Sequence, residues 1–225
     1  MPNLADAQPC SSEESSKKAL EPTDRSEYVF HMPGSIVPTS KRDELVEIAA
    51  TLFYEQGFGA TGIKQIIETA GIAKGTFYSH FASKEEVGVE WLRKRHAVWN
   101  SWLAAKLGDA RNAKTKLLTL FDFLESWMVE SDFRGCAFLN TLAEIPNPEN
   151  PMRDEIAAHK NGFHKTIQTL VIEHFAGKSS TFAKQKASVI FLLFEGALVE
   201  AQNVRDTWPI AAARKEVKSL LISES

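Results

Sequence analysis

The chain has 225 residues, of which 44% are hydrophobic, so it is long enough to form one large or two modest domains around an ordinary core. Its formal net charge is −3, and because residues 1–38 alone carry −3, the remainder is neutral. That balance excludes a protein that coats nucleic acid through its overall charge, although a neutral body can still bind DNA through a few clustered cations.

The two cysteines, Cys10 and Cys136, lie far apart in the chain. They provide no disulfide framework, which is typical of a protein in a reducing compartment. The sequence has no uninterrupted run of about 18 apolar residues and no apolar signal segment near its start. It therefore predicts a soluble, cytoplasmic protein with no membrane partner.

The first part of the chain divides into a tail and a helix. Residues 1–39 are rich in Ser, Glu, Pro and Lys without apolar periodicity, which predicts a disordered tail. From Ser40 onwards, apolar residues recur at helical spacing as far as Phe53, and Gly57 follows as a stop. The pattern predicts a helix that begins at Ser40 and ends at Gly57.

Residues 61–81 predict two short helices joined by a tight turn. The apolar residues from Ile63 to Ala70 share one helical face, and Thr61 is placed to cap that helix. Gly71 stands where the backbone must reverse, since glycine adopts positive φ without strain. The second helix opens with Lys74, Gly75 and Thr76, a composition that suits contact with a phosphate backbone and base edges. The pattern is typical of a helix-turn-helix.

A long helix follows, capped by Ser83 with Glu86 three residues later, and it continues to Gly108. Further helices are predicted at about 117–131, 134–144, 152–175 and 182–206 and from Pro209 to about residue 222. Residues 189–194 are apolar on every side, so their helix is either central or part of a subunit interface. Since no strand-like alternation occurs, the fold class is all-α, with domains at 40–86 and 87–225.

Within residues 40–86 the chain resembles the N-terminal domain of TetR-family repressors. The resemblance depends on an initial amphipathic helix and on these residues: Gly57-Phe58, Ala60-Thr61, Ile66, Ala70-Gly71-Ile72, Lys74-Gly75-Thr76-Phe77-Tyr78, His80-Phe81 and Ser83-Lys84-Glu85. It implies a homodimer that binds a double-stranded DNA operator, a helical effector-binding domain, and repression that a small molecule releases. The chain departs from the family pattern at Gly62, and at Ala73, where the family usually has the Ser or Thr that caps the recognition helix.

The DNA contacts follow from this pattern. Cations and hydroxyls are expected to bind phosphates, with Thr76 and Gly75 approaching bases in the major groove. The candidate DNA-binding residues are Thr61, Lys74, Gly75, Thr76, Tyr78, His80 and Lys84. The alternatives are packing between helices for Tyr78 and an ordinary surface position for His80.

The second domain is rich in aromatic residues, most of which belong to its core, while some are expected to line an effector pocket. The candidates are Trp91, Trp102, Phe121, Trp127, Cys136, Phe138, Phe163 and Phe194. The segment that begins with Arg134, Gly135 and Cys136 is similar to a Gly-Cys helix in one branch of the family, some of whose members respond to electrophiles. Cys136 is therefore either a small buried residue or a thiol activated by Arg134 and a helix N-terminus.

The sequence gives no positive support for an enzyme, a metal or a cofactor. His159 and His164 are five residues apart and do not share a helical face, and no catalytic or phosphate-loop motif occurs. We expect a ligand-responsive repressor that binds a near-palindromic operator, with the last two helices as its dimer surface. The alternatives are an activator or ligand-independent regulator, or a helical enzyme or carrier that retains a vestigial helix-turn-helix.

Overall fold

The computed structural model describes residues 40–222, which contain nine α-helices and no strand, so the all-α prediction is confirmed. The predicted disordered tail, Cys10 and residues 223–225 lie outside the described residues. The helices are α1 (Lys41–Gln56), α2 (Ile63–Thr69), α3 (Lys74–His80), α4 (Lys84–Gly108), α5 (Ala113–Glu130), α6 (Ala137–Glu144), α7 (Met152–His174), α8 (Ser180–Val204) and α9 (Trp208–Leu220).

Helices α1 to α3 form a first bundle whose ends are set by local chemistry. The side chain of Ser40 accepts a hydrogen bond from the backbone of Asp43, which caps α1, and Gly57 ends that helix with φ of 95°. Gly71 has φ of 62° in the turn between α2 and α3, as the helix-turn-helix prediction requires. Ile66 of α2 and Phe77 of α3 are fully buried, and α2 packs on α1 while α3 packs on α2.

Helix α4 connects the first bundle to the rest of the chain. The Ser83 side chain accepts from the backbone N–H of Glu86, while the Glu86 carboxylate accepts from the backbone of Ala82 rather than from Ser83. The predicted cap is confirmed, and the reciprocal bond of the capping box is displaced by one residue. Because α4 packs on both α1 and α7, the predicted domain boundary at residues 86 and 87 falls inside a continuous helix.

Helices α5 to α9 form a second bundle around an aromatic core. Helix α8 packs most extensively on α7 and α9, and α5 packs on α7 and α9 as well. The rings of Phe121 and Phe163 both contact that of Phe194, with centroids 5.7 and 4.7 Å apart. Such edge-to-face contacts are the preferred arrangement of buried rings and stabilise the centre of this bundle.

Among the described helices, α8 is long and apolar enough to cross a membrane by length and composition alone. Its longest uninterrupted apolar run is residues 189–194, bounded by Ser188 and Glu195, so it contains no continuous apolar run of about 18 residues. A core helix passes the same test, and one face of α8, with Ile190 and Phe194, is buried in the bundle. The opposite face exposes Val189 and Leu192, so the all-round apolar character comes from one inner and one outer surface.

Candidate nucleic-acid interface and effector domain

The outer face of α3 carries the main candidate DNA-binding groups. Lys74 and Gly75 are exposed and Thr76 is half-buried. The side chain of Tyr78 is 45% exposed, while Phe77 beneath it is fully buried, and their rings meet edge to face at 5.3 Å. The first turn of α3 therefore presents the Lys74 ammonium, the Gly75 backbone and the Thr76 hydroxyl. The Tyr78 phenol follows on the same helix.

Lys74 differs from the other cations of the first bundle. Within residues 40–86, Lys41, Arg42 and Lys64 all lie within 4 Å of a glutamate oxygen. No ion pair within this described range includes Lys74, whose ammonium lies 5.8 Å from the centroid of the Tyr78 ring. Lys74 can therefore approach a DNA phosphate without first leaving an acidic partner.

Ala73 is the N-cap of α3 and makes no side-chain bond there, so the predicted lack of a hydroxyl cap is confirmed. His80 lies half-buried in the last turn of α3. Phe81, which follows it, is buried in the first bundle. His80 therefore lies at the opposite end of α3 from Lys74, Gly75 and Thr76.

Two candidate DNA-binding residues have other roles in the structure. Thr61 is fully buried and donates its hydroxyl to the Gly57 carbonyl at 2.8 Å, and the N-cap of α2 is Gly62 with no side-chain bond. The prediction that Thr61 caps α2 is therefore wrong. Its burial also leaves no side-chain surface for a phosphate, because the hydroxyl closes the loop between α1 and α2 instead.

Lys84 is half-buried against the loop between α1 and α2. Its ammonium donates to the carbonyls of Phe58 and Thr61 at 2.8 and 2.9 Å and lies 4.2 Å from the centroid of the Phe58 ring. Burial lowers the pKa of Lys84, while the nearby carboxylates Glu85 and Glu144 act in the opposite direction. Lys84 joins α4 to the loop between α1 and α2. Its contact with a DNA phosphate stays a prediction.

The candidate effector residues fall into separate groups. Trp91 contacts Phe53 of α1 at 5.3 Å and so lies between the bundles, and Trp102 is half-buried with the Arg95 guanidinium 5.5 Å from its ring centroid. The others are buried in the second bundle, where Phe138 stacks on His159 and Trp127 lies beside Phe123. Those in the second bundle are Phe121, Trp127, Cys136, Phe138, Phe163 and Phe194.

A histidine pair, which the sequence did not indicate, joins α4 to α7. His96 Nδ1 lies 2.9 Å from Nδ1 of the buried His159, and Asn100 Nδ2 lies 2.8 Å from His96 Nε2. Because an amide nitrogen can only donate, we assign the His96 proton to Nδ1, where it is donated to His159. Burial lowers the pKa of His159 to about 3, with further contributions from Lys160, His96 and Arg95, so the His159 ring is neutral near pH 7.

Cys136 is 2% exposed and is the N-cap of α6. The cation beside it is not Arg134, which donates to carbonyls of α1, but Lys160, whose ammonium lies 3.6 Å from Sγ. Lys160 also pairs with Glu195 of α8 at 2.7 Å, so much of its charge is balanced. The suggestion that Arg134 activates the thiol is therefore wrong.

Among the residues that the structure describes, no group of three or more His, Cys, Asp or Glu side chains is placed to hold a metal ion.

The exposed α3 and the helical bundle behind it define the class of the protein as a helix-turn-helix DNA-binding regulator. Two family models match the sequence, one described as "Bacterial regulatory proteins, tetR family" at residues 45–89 and one as "Tetracyclin repressor-like, C-terminal domain" at residues 113–217. Together they cover more than half of the chain. The chain belongs to the TetR family of transcriptional regulators.

Similar proteins agree with this assignment. The repressor NemR of Escherichia coli K12 is 25% identical over 80% of this chain and 93% of its own length. The repressor KstR2 of Mycolicibacterium smegmatis is 48% identical over 37% of this chain and 41% of its own. The crystal structure of SCO4454, a TetR-family regulator from Streptomyces coelicolor, superposes with a TM-score of 0.71 at 25% identity, over 80% of this chain and 87% of that one. The crystal structure of the reduced form of E. coli NemR superposes with a TM-score of 0.69 at 23% identity, over 83% of this chain and 100% of that one.

Proposed function

We propose that this protein is a homodimeric transcriptional repressor that leaves its operator when a small molecule binds in the second bundle. The exposed face of α3 is the observation that carries the proposal, because it places Lys74, Gly75, Thr76 and Tyr78 together on the helix that enters the major groove in this motif. The relatives named as repressors support the direction of control. The site of action is the cytoplasm, where bacterial DNA is accessible.

The groups on α3 have different roles in DNA binding. The Lys74 ammonium and the Tyr78 hydroxyl bind phosphates and fix the position of the helix, while Gly75 and Thr76 approach the base edges. His80, at the far end of α3, is a secondary candidate. A dimer places two copies of α3 in successive major grooves about 34–36 Å apart, so its operator is near-palindromic.

The effector acts by favouring one dimer geometry over another. Operator release requires only that the ligand binds more tightly when the two recognition helices are wrongly spaced for DNA. The core of the second bundle is mostly apolar and aromatic, which suits a small molecule with a large apolar surface. Helix α4 transmits the change, because it packs on α1 at one end and on α7 along its length.

DNA selected from a random pool with the full-length protein tests this function. The protein is expected to enrich a near-palindromic sequence, and the Lys74→Ala/Tyr78→Ala double variant is expected to bind it at least tenfold more weakly. The slope of log affinity against log salt concentration is negative for DNA binding. Because each dimer loses two phosphate contacts at Lys74, this slope should become shallower by about 2.

The matched control for this experiment is Lys165→Ala, which removes an exposed cation from α7 in the second bundle and should change neither affinity nor slope. Unchanged affinity in the double variant would remove α3 from the interface. Failure to enrich any sequence would contradict the proposed function as a whole.

The role of Cys136 is a separate proposal with two outcomes. If its thiol senses electrophiles, N-ethylmaleimide will form a thioether at Sγ and release DNA, which requires transient opening around a buried group. The measurement compares operator binding by Cys10→Ser with that by Cys10→Ser/Cys136→Ser after treatment. Equal responses would leave Cys136 as an ordinary buried residue of the core.

A further inference from the structure

A second connection, separate from α4, joins the two bundles at the end of α6. The Glu144 carboxylate accepts a hydrogen bond from the backbone N–H of Gly59 at 2.5 Å. A Cβ atom on Gly57 would lie 2.9 Å from both carboxylate oxygens, so glycine at this position gives Glu144 its space. The carboxylate therefore holds the loop between α1 and α2, which Lys84 holds from α4.

Arg134, which precedes α6, holds the neighbouring end of α1. Its guanidinium donates to the carbonyls of Tyr54 and Glu55, the second at 3.0 Å, and lies 5.5 Å from the centroid of the Tyr54 ring. Carbonyls in the last turn of a helix have no partner within the helix, and the partial negative charge there favours a cation. Arg134 and Glu144 thus bind adjacent parts of the first bundle from the two ends of one short segment, residues 134–144. We call this pair of residues the clamp.

The segment between the two clamp residues is attached to α8. Gln202 Nε2 donates to Asn140 Oδ1 at 3.1 Å, and Asn140 Nδ2 donates to the Arg134 carbonyl at 3.0 Å. The backbone of Gly135 adopts φ of 81° directly against the Gln202 amide. A displacement of α8 at Gln202 therefore reaches Arg134 through two hydrogen bonds.

The same segment is also anchored in the core of the second bundle. Phe138 stacks on His159 with ring centroids 3.7 Å apart and planes within 4° of parallel. One short helix thus has its first turn inside the proposed effector domain and its last residue on the helix-turn-helix loop. Because packed interiors shift between discrete arrangements rather than deform smoothly, movement of this turn is passed to both ends of the segment.

We infer that Arg134 and Glu144 are positioning residues through which α6 sets the placement of the helix-turn-helix, in addition to the Lys84 link from α4 to the same loop. This inference rests on the proposed DNA-binding function, and it adds α6 as a second transmission path to α4. Neither residue touches DNA. They act by fixing the end of α1 and the α1–α2 loop, because α2 packs on α1 and α3 packs on α2.

A double-mutant cycle tests the clamp without any effector. Gly135→Ala introduces strain between α6 and α8, because alanine disfavours φ of 81° and its Cβ would displace the Gln202 amide. In the full-length protein this variant should weaken binding to the selected DNA duplex by on the order of tenfold. In an Arg134→Ala/Glu144→Gln background the same substitution should weaken binding less than twofold, because the strain no longer reaches the first bundle.

The matched control background is Arg214→Ala, which breaks the ion pair of α9 with Asp122 of α5 at 2.7 Å, away from the clamp. Gly135→Ala should retain its full effect there. Gln202→Ala provides a second perturbation of the segment if Gly135→Ala does not fold, as judged by thermal unfolding.

An equal loss of affinity with and without the clamp would overturn the inference, because Arg134 and Glu144 would then only stabilise the fold. No effect of either Gly135→Ala or Gln202→Ala on the otherwise wild-type protein would also overturn it. Failure of the wild-type protein to select any duplex contradicts the proposed function instead, so the two failures are distinguishable.

Discussion

His159 makes the stability of the protein depend on pH. Its pKa is about 3 in the folded chain, chiefly because of burial, and about 6.5 in an unfolded one. The unfolded state therefore takes up a proton first as the pH falls, so stability from this residue is present above pH 6.5 and is lost progressively towards pH 3. We expect His159 alone to remove about 1.4 kcal/mol from the free energy of unfolding between pH 7.5 and pH 5.5.

Denaturant unfolding at the two pH values measures this effect. His159→Gln keeps a polar side chain without the titrating ring, and its loss of stability over the same range should be smaller by that amount. His80→Gln is the matched control, because it removes a histidine from α3 and leaves His159 in place, so it should retain the wild-type dependence. A wild-type dependence in His159→Gln would contradict the assignment of a buried neutral imidazole.

Individual residue roles were predictable only where the partner lies nearby in sequence. The cap at Ser83 and the positive φ at Gly71 depend on the next few residues, and both predictions were confirmed. Lys84 and Thr61 match a DNA-binding pattern equally well, yet Lys84 bonds to carbonyls 23 and 26 residues away and Thr61 is buried. Residue types alone do not determine whether a cation or hydroxyl faces solvent or closes a loop.

At the scale of the element, α3 has no side-chain N-cap, although the backbone at its N-cap position has a conformation that suits one. Ala73 has φ of −72° and ψ of 148°, the extended conformation that suits a side-chain N-cap. Ala73→Ser is therefore expected to stabilise the protein by about 1 kcal/mol, because the new hydroxyl can accept a backbone N–H in the first turn. Thermal unfolding should show a midpoint about 2–4 °C higher.

Ala82→Ser is the matched control for this variant. It adds a hydroxyl to an exposed alanine directly before the N-cap of α4, where Ser83 already caps the helix. Its unfolding midpoint should stay at the wild-type value. An unchanged midpoint in Ala73→Ser would mean that the start of α3 is already satisfied or frays before the protein unfolds.

The sequence predicted the elements better than it predicted their connections. Apolar periodicity and capping residues placed all nine described helices, because both signals are local. The bonds from α6 to the first bundle join residues about 80 positions apart, such as Arg134 with Tyr54 and Glu144 with Gly59. Nothing in the spacing of those residues indicates that they meet, since their meeting depends on how α4 places one bundle against the other.

At the scale of the whole molecule, the outer face of α8 is the surface that we propose as the subunit contact. Val189, Leu192 and Val199 recur at helical spacing and are 43%, 66% and 46% exposed, while the inner face of the same helix is buried. Trp208 at the start of α9 is 58% exposed. Large side chains exposed together on neighbouring helices mark an interaction surface, and family membership supports a second copy of this chain as the partner.

We therefore expect Leu192→Glu to convert the dimer into monomers. Each dimer would bury two unpaired carboxylates at the centre of an apolar contact, which costs several kcal/mol. Sedimentation should show a monomer, and operator binding should weaken by a hundredfold or more, because two linked half-site contacts become independent. Val129→Glu is the matched control, because it places the same charge on an apolar residue of α5 that is 55% exposed. If Leu192→Glu remained dimeric with unchanged operator affinity, the subunit contact would have to lie on another face of the second bundle.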